Sequence, residues 1–172
     1  GWPGANPTDT DFFANPPKIK NSVFTAFGMT KRNGISAEND SILASVVNSR
    51  TNAVCLVGKS HDYHVNKVLG ISNDENLKNI EESISHLKKL GKEAIFDAEH
   101  FFDGFKSDPN YAFECLSVAY ESNANWIVLC DTNGGTLPIE IFTIVKEVIK
   151  KGIPGFKLGI HAHNDTDNAV AN

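Results

Sequence analysis

Five short runs of apolar and β-branched residues recur along the chain, each separated from the next by a longer and more polar stretch. The runs are SVFTAF (22–27), AVCLVG (53–58), EAIFDA (93–98), NWIVLCD (125–131) and KLGIHAH (157–163). They do not alternate cleanly between apolar and polar positions, which is typical of parallel strands covered on both faces. The pattern therefore predicts five parallel strands.

Four of the intervening segments carry apolar residues at helical spacing together with helix start and stop signals. These segments span residues 36–49, 72–91, 108–123 and 137–152. Ser36 and Asp108 are the predicted N-caps of the first and third helices, and Gly91 and Gly152 end the second and fourth. The alternation of strand and helix fits both a doubly wound sheet and a (β/α)8 barrel.

The residues that follow the strands favour the barrel. Nearly every run ends in polar, potentially reactive residues: GMTK, GKSH, DAEH, CDTNGG and HAHND. A (β/α)8 barrel builds its active site from the carboxyl ends of all its strands. The GxGxxG and GxxxxGK[ST] motifs of nucleotide-binding doubly wound folds are absent. The predicted class is α/β, as a TIM (β/α)8 barrel.

Length limits how much of a barrel the chain can contain. A complete barrel takes about 250 residues, whereas this chain has 172 and shows five complete strands. We therefore expect residues 1–172 to form a piece of one barrel, with no second domain. The chain lacks an initiator methionine, since Met29 is the only methionine, so it is expected to begin inside a longer gene product.

The composition of the chain indicates which kinds of partner it can bind and in which compartment it works. The net charge of −5 and the lack of a basic stripe argue against nucleic-acid binding. No apolar run approaches the ~18 residues of a membrane span, and the N-terminus does not resemble a signal peptide. Cys55, Cys115 and Cys130 are widely spaced in apolar runs, which predicts reduced, buried thiols in a cytoplasmic protein.

The strongest chemical motif is HAHND at residues 161–165. Side chains two residues apart on a strand point the same way, so His161 and His163 present two imidazoles together. Such a pair suits a divalent metal, with Asn164 as a residue that orients the rings. The alternative is a pair of hydrogen-bonded histidines at a sheet end.

Two further strand ends carry candidate chemistry. Asp97 and Glu99 share one face of a predicted strand, and paired carboxylates suit proton transfer; the alternative is a solvated acidic loop. Thr132, in DTNGG (131–135), could bind a carboxylate at the start of the next helix. There the alternative is a loop in which the glycines only turn the chain.

The stretch GKSHDYH (58–64) offers a possible anion contact. Lys59 and His64 could touch a substrate anion, or both could lie on an exposed helix start. The residues alone do not decide between the two.

In this order, these motifs resemble the metal-dependent acyl-CoA (β/α)8 family that contains isopropylmalate, homocitrate and citramalate synthases and hydroxymethylglutaryl-CoA lyase. GWPGANP, GKSHDYHV, DAEHFFDGFK, LCDTNGGTLP and HAHND…AVAN carry the resemblance, which extends over the whole chain and is strongest to the citramalate-synthase branch. Asp167 is a departure, because many members have glycine there. The resemblance implies a piece covering about strands 2–7, from the end of strand 2 to the helix after strand 7, without strands 1 and 8.

The resemblance also implies roles for the candidate residues. His161 and His163 would be metal ligands, Thr132 and His64 would bind substrate, and Glu99 would be the acid/base residue. The residues expected to orient the ligand side chains without binding the metal are Asp97, Asp131 and Asn164. A third ligand, an aspartate on strand 1, would precede Gly1, so the isolated chain is expected to bind metal weakly and to lack synthase activity.

The implied reaction joins acetyl-CoA, as co-substrate, to a 2-oxo acid whose oxygens are bound by Zn²⁺, Mn²⁺ or Mg²⁺. The product would be citramalate from pyruvate or 2-isopropylmalate from 2-oxoisovalerate, in branched-chain amino-acid biosynthesis. A homodimer is expected. Two other enzymes are alternatives: a lyase of the hydroxymethylglutaryl-CoA type, and a carboxyltransferase that uses a carbamylated Lys59. A non-catalytic metal-binding partial barrel is the alternative from another class.

Overall fold

The computed structural model describes residues 1–172 as five strands with helices between them. The strands are β1 (Thr25–Met29), β2 (Ala53–Lys59), β3 (Glu93–Glu99), β4 (Trp126–Asp131) and β5 (Leu158–Ala162). The helices are α1 (Pro7–Ala14), α2 (Ser41–Val47), α3 (Asp62–His64), α4 (Asn73–Lys89), α5 (Phe101–Ser107), α6 (Pro109–Glu121) and α7 (Pro138–Lys150). A π-helical turn, Val65–Leu69, continues α3, and a short 3₁₀ turn, Gly155–Lys157, precedes β5.

The order of the strands decides between the two predicted folds. All five strands are parallel, and they pair in chain order as β1-β2-β3-β4-β5. A doubly wound sheet reverses its strand order at a switch point, whereas a barrel adds each strand beside the previous one. The structure is therefore a partial barrel, as predicted. Its five strands occupy the places of strands 3–7 in the predicted scheme, and residues 1–24 contain helix α1 and no strand.

The strands are not buried on both faces, contrary to the prediction. Residues facing the helices are fully buried, as Leu56, Phe96 and Leu129 illustrate. Alternate residues on the opposite face are half-buried, which gives β1 and β2 an alternating pattern. The side chains of five strands cover this inner face less completely than the helices cover the outer one. We call the face of the sheet that points away from the helices the inner face.

The helix predictions hold with one corrected start. Ser72 and Glu75 form a reciprocal capping box at the start of α4, and Asp108 caps α6. The first predicted helix begins four residues later than expected, because Asp40 rather than Ser36 is its N-cap. The Asp40 carboxylate accepts hydrogen bonds from the amides of Ile42 and Leu43.

Replacing Asp40 by alanine should destabilise the fold by about 2–3 kcal/mol, because Asp40 also accepts hydrogen bonds from Arg32. Burial alone would raise the pKa of Asp40, but its bonds to Arg32 and the helix amides hold this pKa below the ordinary value of 3.8. The contribution is therefore complete above pH 3.8 and is lost as the pH falls further. Urea unfolding checks this; Asp40→Asn, which keeps the cap, should lose less, and an equal loss in both variants would contradict the account.

Three short helices were not predicted: α1, α3 and α5. Each contains eight or fewer residues, too few for a helical period to show in the sequence. Two of them, α3 and α5, follow β2 and β3 directly and carry polar residues at the carboxyl end of the sheet. None of the helices has the length and apolar character needed to span a membrane.

Candidate active site at the carboxyl ends of the strands

The pairing register brings the predicted site residues to one end of the inner face. Lys59 on β2 lies opposite Glu99 on β3, and Cys130 on β4 lies opposite His161 on β5. Asp97 is one inner-face position before Glu99, since side chains on a strand alternate between faces. Four strands thus contribute polar side chains to a single surface.

His161 contacts a buried carboxylate. Its Nδ1 atom lies 3.1 Å from Asp97 Oδ2, and the Asp97 side chain is only 7% exposed. The Cys130 Sγ atom is 3.9 Å from the same nitrogen. Donor atoms of Asp97, Cys130 and His161 all lie within 4.8 Å of one another, close enough to surround one metal ion.

The two histidines of the HAH motif share a face, as the strand period predicts. Their rings stack with centroids 5.0 Å apart and an angle of 23° between planes. The backbone N–H of His163 donates to the carbonyl oxygen of Asp131, which ties the end of β5 to β4. His163 is nevertheless outside the three-residue donor group formed by Asp97, Cys130 and His161.

Asn164 contacts its own loop rather than a histidine ring. Its amide donates to Asp167 Oδ1 at 3.2 Å, and its carbonyl oxygen accepts from the amide of Ala169. Asp167 has φ of 59°, in the left-handed region that favours glycine. It lies in a turn. A glycine at this position would adopt the same turn without strain.

The loop after β4 is organised by Asp131, which is 1% exposed. Its carboxylate accepts from the Thr136 hydroxyl at 2.8 Å and from the Thr136 amide at 3.2 Å. Gly134 has a φ of 63°, and a side chain there would meet Asp165. Asp131 therefore shapes the loop that holds Thr132.

The Thr132 hydroxyl oxygen accepts a hydrogen bond from the backbone N–H of His100 at 2.8 Å. This contact fixes the hydroxyl between β3 and β4. Because the oxygen acts as acceptor, its own hydrogen remains available to donate to a substrate oxygen. The helix that follows begins at Pro138, six residues further along.

Glu99 forms an ion pair with Lys59 across the β2–β3 register. Both side chains are largely buried, with 27% and 19% of their area exposed, respectively. The ammonium group occupies one of the two carboxylate oxygens of Glu99, Oε2. The structure thus joins two residues that the sequence placed in separate motifs.

His64 lies in the last position of α3, between two other histidine rings, those of His61 and His100. Lys59 and His64 do not lie together on an exposed helix start, because Lys59 is the last residue of β2 and His64 is the last residue of α3. His64 is half-buried beside the active-site edge. The grouping of three histidines was missed, because His100 belongs to a different segment from His61 and His64 and no sequence spacing links it to them.

Cys115 and Cys130 are buried, as expected, whereas Cys55 is half-buried. Burial raises the pKa of Cys55 and of Cys115 to about 12, and the carboxylate of Asp97 adds to the effect at Cys55. Burial is also the main reason why the pKa of Cys130 lies far above its ordinary value, with Asp97 again contributing. Cys130 is therefore a protonated thiol at neutral pH in the metal-free chain, which makes it a poor nucleophile.

A parallel sheet with its strands in chain order, and with carboxylates and imidazoles at its carboxyl edge, is typical of a (β/α)8-barrel enzyme. The HMGL-like family profile matches residues 26–172, and the chain belongs to this family.

Particular relatives are similar over the full chain. The chain is 48% identical to the (R)-citramalate synthase of Aquifex aeolicus over 174 aligned residues, and 45% identical to that of Streptomyces coelicolor over 175. Both alignments include 100% of this chain but only 33% and 32% of the relative. The chain thus spans about a third of the length of these curated relatives. A homocitrate synthase of Sulfurisphaera tokodaii is 32% identical over 64% of the chain and 23% of its own length.

Solved structures with the same fold are hydroxymethylglutaryl-CoA lyases. The lyase of Bacillus subtilis superposes with a TM-score of 0.77 over 94% of this chain and 52% of the lyase, at 17% sequence identity. The lyase of Pseudomonas aeruginosa gives a TM-score of 0.76 over 96% of this chain and 53% of the lyase, at 13% identity. At these identities the likeness concerns the fold alone.

Proposed function

We propose that the whole protein is a metal-dependent synthase that condenses acetyl-CoA with a 2-oxo acid, and that pyruvate is the preferred acid. The observation that carries this proposal is the 48% identity with an (R)-citramalate synthase over the full chain. The cluster of polar side chains at the carboxyl edge supplies groups for such a reaction. The chain would work in amino-acid biosynthesis in the cytoplasm, as a dimer, without nucleic acid or membrane as partners.

The contact between His161 and Asp97 supports a site for a divalent cation. His161 lies against the buried carboxylate of Asp97, an arrangement that holds a ligating imidazole in one orientation. His161 and His163 would hold the ion, and Asp97 would support His161 from behind. An ion there would act as a Lewis acid toward the carbonyl group of the 2-oxo acid. Imidazole and carboxylate donors suit Zn²⁺, Mn²⁺ or Mg²⁺.

Thr132 and Glu99 have separate tasks in the proposed reaction. The Thr132 hydroxyl, held in place by the His100 amide, would donate a hydrogen bond to the carboxylate of the 2-oxo acid. Glu99 would remove a proton from the methyl group of acetyl-CoA, and Lys59 would fix the position of the Glu99 carboxylate. Asp131 would keep the Thr132 loop in place through its two bonds to Thr136.

The ion pair between Lys59 and Glu99 argues against the carboxyltransferase alternative. A carbamylated Lys59 would carry a negative charge and would face the Glu99 carboxylate, to which the ammonium form is now bound. Two negative charges in direct contact repel each other. The lyase alternative has less support, because the likeness to lyases, at 17% and 13% identity, concerns the fold alone.

The assay that tests the proposal measures free CoA thiol released from acetyl-CoA by the whole protein. Release should require both a divalent cation and a 2-oxo acid, and it should be fastest with pyruvate. Thr132→Val should raise the KM for the 2-oxo acid about tenfold to a hundredfold, since it removes a hydrogen bond to a charged group.

Thr143→Val is the matched control, because Thr143 bonds only to its own helix at Ile139. Its KM should equal that of the wild type. Thiol release that proceeds equally well without a 2-oxo acid would contradict the proposed condensation.

A further inference from the structure

Three imidazole rings pack together beside the Lys59–Glu99 pair, and the function proposed above gives no role to any of these rings. The rings of His61 and His64 have centroids 5.1 Å apart and planes at 30°. The rings of His64 and His100 are closer, with centroids 4.1 Å apart and planes at 41°. We call these three residues the histidine stack. His64 is the central ring, and no hydrogen bond within the chain contributes to its protonation.

The two outer rings are fixed by the local backbone. His61 caps α3, where its Nδ1 atom accepts from the Tyr63 amide and lies 2.9 Å from the Asp62 carboxylate. His100 has φ of 57°, an uncommon left-handed conformation for a side-chain-bearing residue, and its amide donates to Thr132. Uncommon backbone geometry of this kind persists only where the surroundings hold it in place.

Close packing of α5 brings His100 to the stack. A side chain at Gly104 would collide with the Ser60 carbonyl oxygen and would lie 2.9 Å from His61 Cα. Glycine therefore lets α5 approach the segment that carries His61 and His64. The Nδ1 atom of His100 is buried without a hydrogen-bond partner, 3.6 Å from Asp103 Oδ2.

Several charges act on the central ring. The charged groups near the stack come from β2, α3, β3 and α5: Lys59, Asp62, Glu99 and Asp103. Burial is the main cause that lowers the pKa of His64; His100, His61 and Lys59 lower it further, whereas Glu99 opposes them. An imidazole whose pKa is lowered from 6.5 is neutral at pH 7 and able to accept a proton.

We propose that His64 is a proton-accepting catalytic residue, and that His61 and His100 are positioning residues that orient its ring and keep it uncharged. This inference rests on the proposed function, whose reaction ends in hydrolysis of a thioester. Water attacks the thioester carbon while His64 takes a proton from that water. The carbon–sulfur bond then breaks, and His64 returns the proton to the sulfur of CoA.

A second base is needed because Glu99 has another task and one of its oxygens is bound to Lys59. The His64 ring, by contrast, is not bound to a cationic side chain. Its neutral form would be restored at the end of each cycle, since the proton leaves with CoA. The stack thus supplies a base for the hydrolytic step beside the groups that form the carbon–carbon bond.

The first test follows the imidazole NMR signals of this chain as the pH changes. His64 should titrate below the ordinary value of about 6.5, and His100→Asn should move its midpoint upward. Asparagine suits this position because it tolerates the left-handed backbone. Glu99→Gln should move the His64 midpoint downward. His86→Gln, on the other side of α4, should leave it unchanged.

The second test measures kinetics in the whole protein. His64→Gln should lower kcat for CoA release about a hundredfold or more, with a much smaller change in KM. His100→Asn should lower kcat less and should move the acidic limb of the pH–rate profile to higher pH. The two changes share a cause, since both follow the protonation of His64.

Each outcome decides something different. An unshifted His64 midpoint in wild type or in His100→Asn would overturn the role of the stack, even in an active synthase. A His64→Gln variant with normal kcat, or with only a raised KM, would overturn the catalytic role. A wild-type protein without condensation activity would overturn the proposed function and the role of His64 in it, whereas the titration would still report on the stack.

Discussion

Replacing His161 by glutamine is expected to weaken divalent metal binding to the chain by more than about a hundredfold. The change would remove a proposed ligand and would leave the buried Asp97 carboxylate without its imidazole partner. Loss of a residue that only supports a ligand costs 10- to 100-fold in affinity, so loss of a ligand should cost more. Isothermal titration of Mn²⁺ and Zn²⁺ into wild type and variant measures the difference.

Two companion variants identify the remaining ligands. If both histidines bind the ion, His163→Gln should weaken binding to a similar degree, and Cys130→Ala should leave it almost unchanged. The second expectation follows because the proposed ligands are the two imidazoles and not the thiol. His86→Gln is the control for a histidine outside the site. A strong effect of Cys130→Ala with none from His163→Gln would instead support a site made of Asp97, Cys130 and His161.

The second large effect is expected at Gly104. Alanine favours a helix interior over glycine by about 1 kcal/mol, so an open site would be stabilised by this change. Here the added methyl group meets the backbone of Ser60 and His61, which has no flexible side chain to move aside. Overpacking costs of about 1–3 kcal/mol should exceed the gain in propensity, and α5 should shift away from the histidine stack.

Thermal unfolding detects the change at Gly104, because each kcal/mol corresponds to about 2–4 °C in a chain of this size. We expect Gly104→Ala to lower Tm by several degrees. Gly135→Ala is the matched control, since Gly135 has open space around its Cα atom and no positive φ. An unchanged or raised Tm in Gly104→Ala would show that α5 does not depend on this close contact.

The sequence predicted the sheet and the longer helices well, because their evidence is local. Asp108 is an N-cap, as predicted, and β2 and β3 begin at the predicted residues. The first helix start was wrong because Ser36 and Asp40 both offer capping side chains within five residues. Asp40 caps the helix because Arg32, from the preceding loop, binds the same carboxylate.

The site was predicted in part for the same reason. The strand period places His161 beside His163 and Asp97 on the face of Glu99, so these neighbours follow from the sequence. The ion pair between Lys59 and Glu99 depends on the register between two strands. The histidine stack depends on the approach of α5 at Gly104, and helix α5 is too short to be visible in the sequence.

We propose that this active-site edge belongs to an enzyme that forms a carbon–carbon bond between acetyl-CoA and a 2-oxo acid. NMR of pyruvate labelled with ¹³C at its carbonyl carbon, in the presence of the whole protein, acetyl-CoA and a divalent cation, tests this directly. We expect the labelled ketone carbon to become a tertiary alcohol carbon joined to a new methylene group, and a chelator to abolish the conversion. A labelled ketone that persists, while a 3-hydroxyacyl-CoA is cleaved by the same protein, would contradict the proposed condensation and identify a lyase.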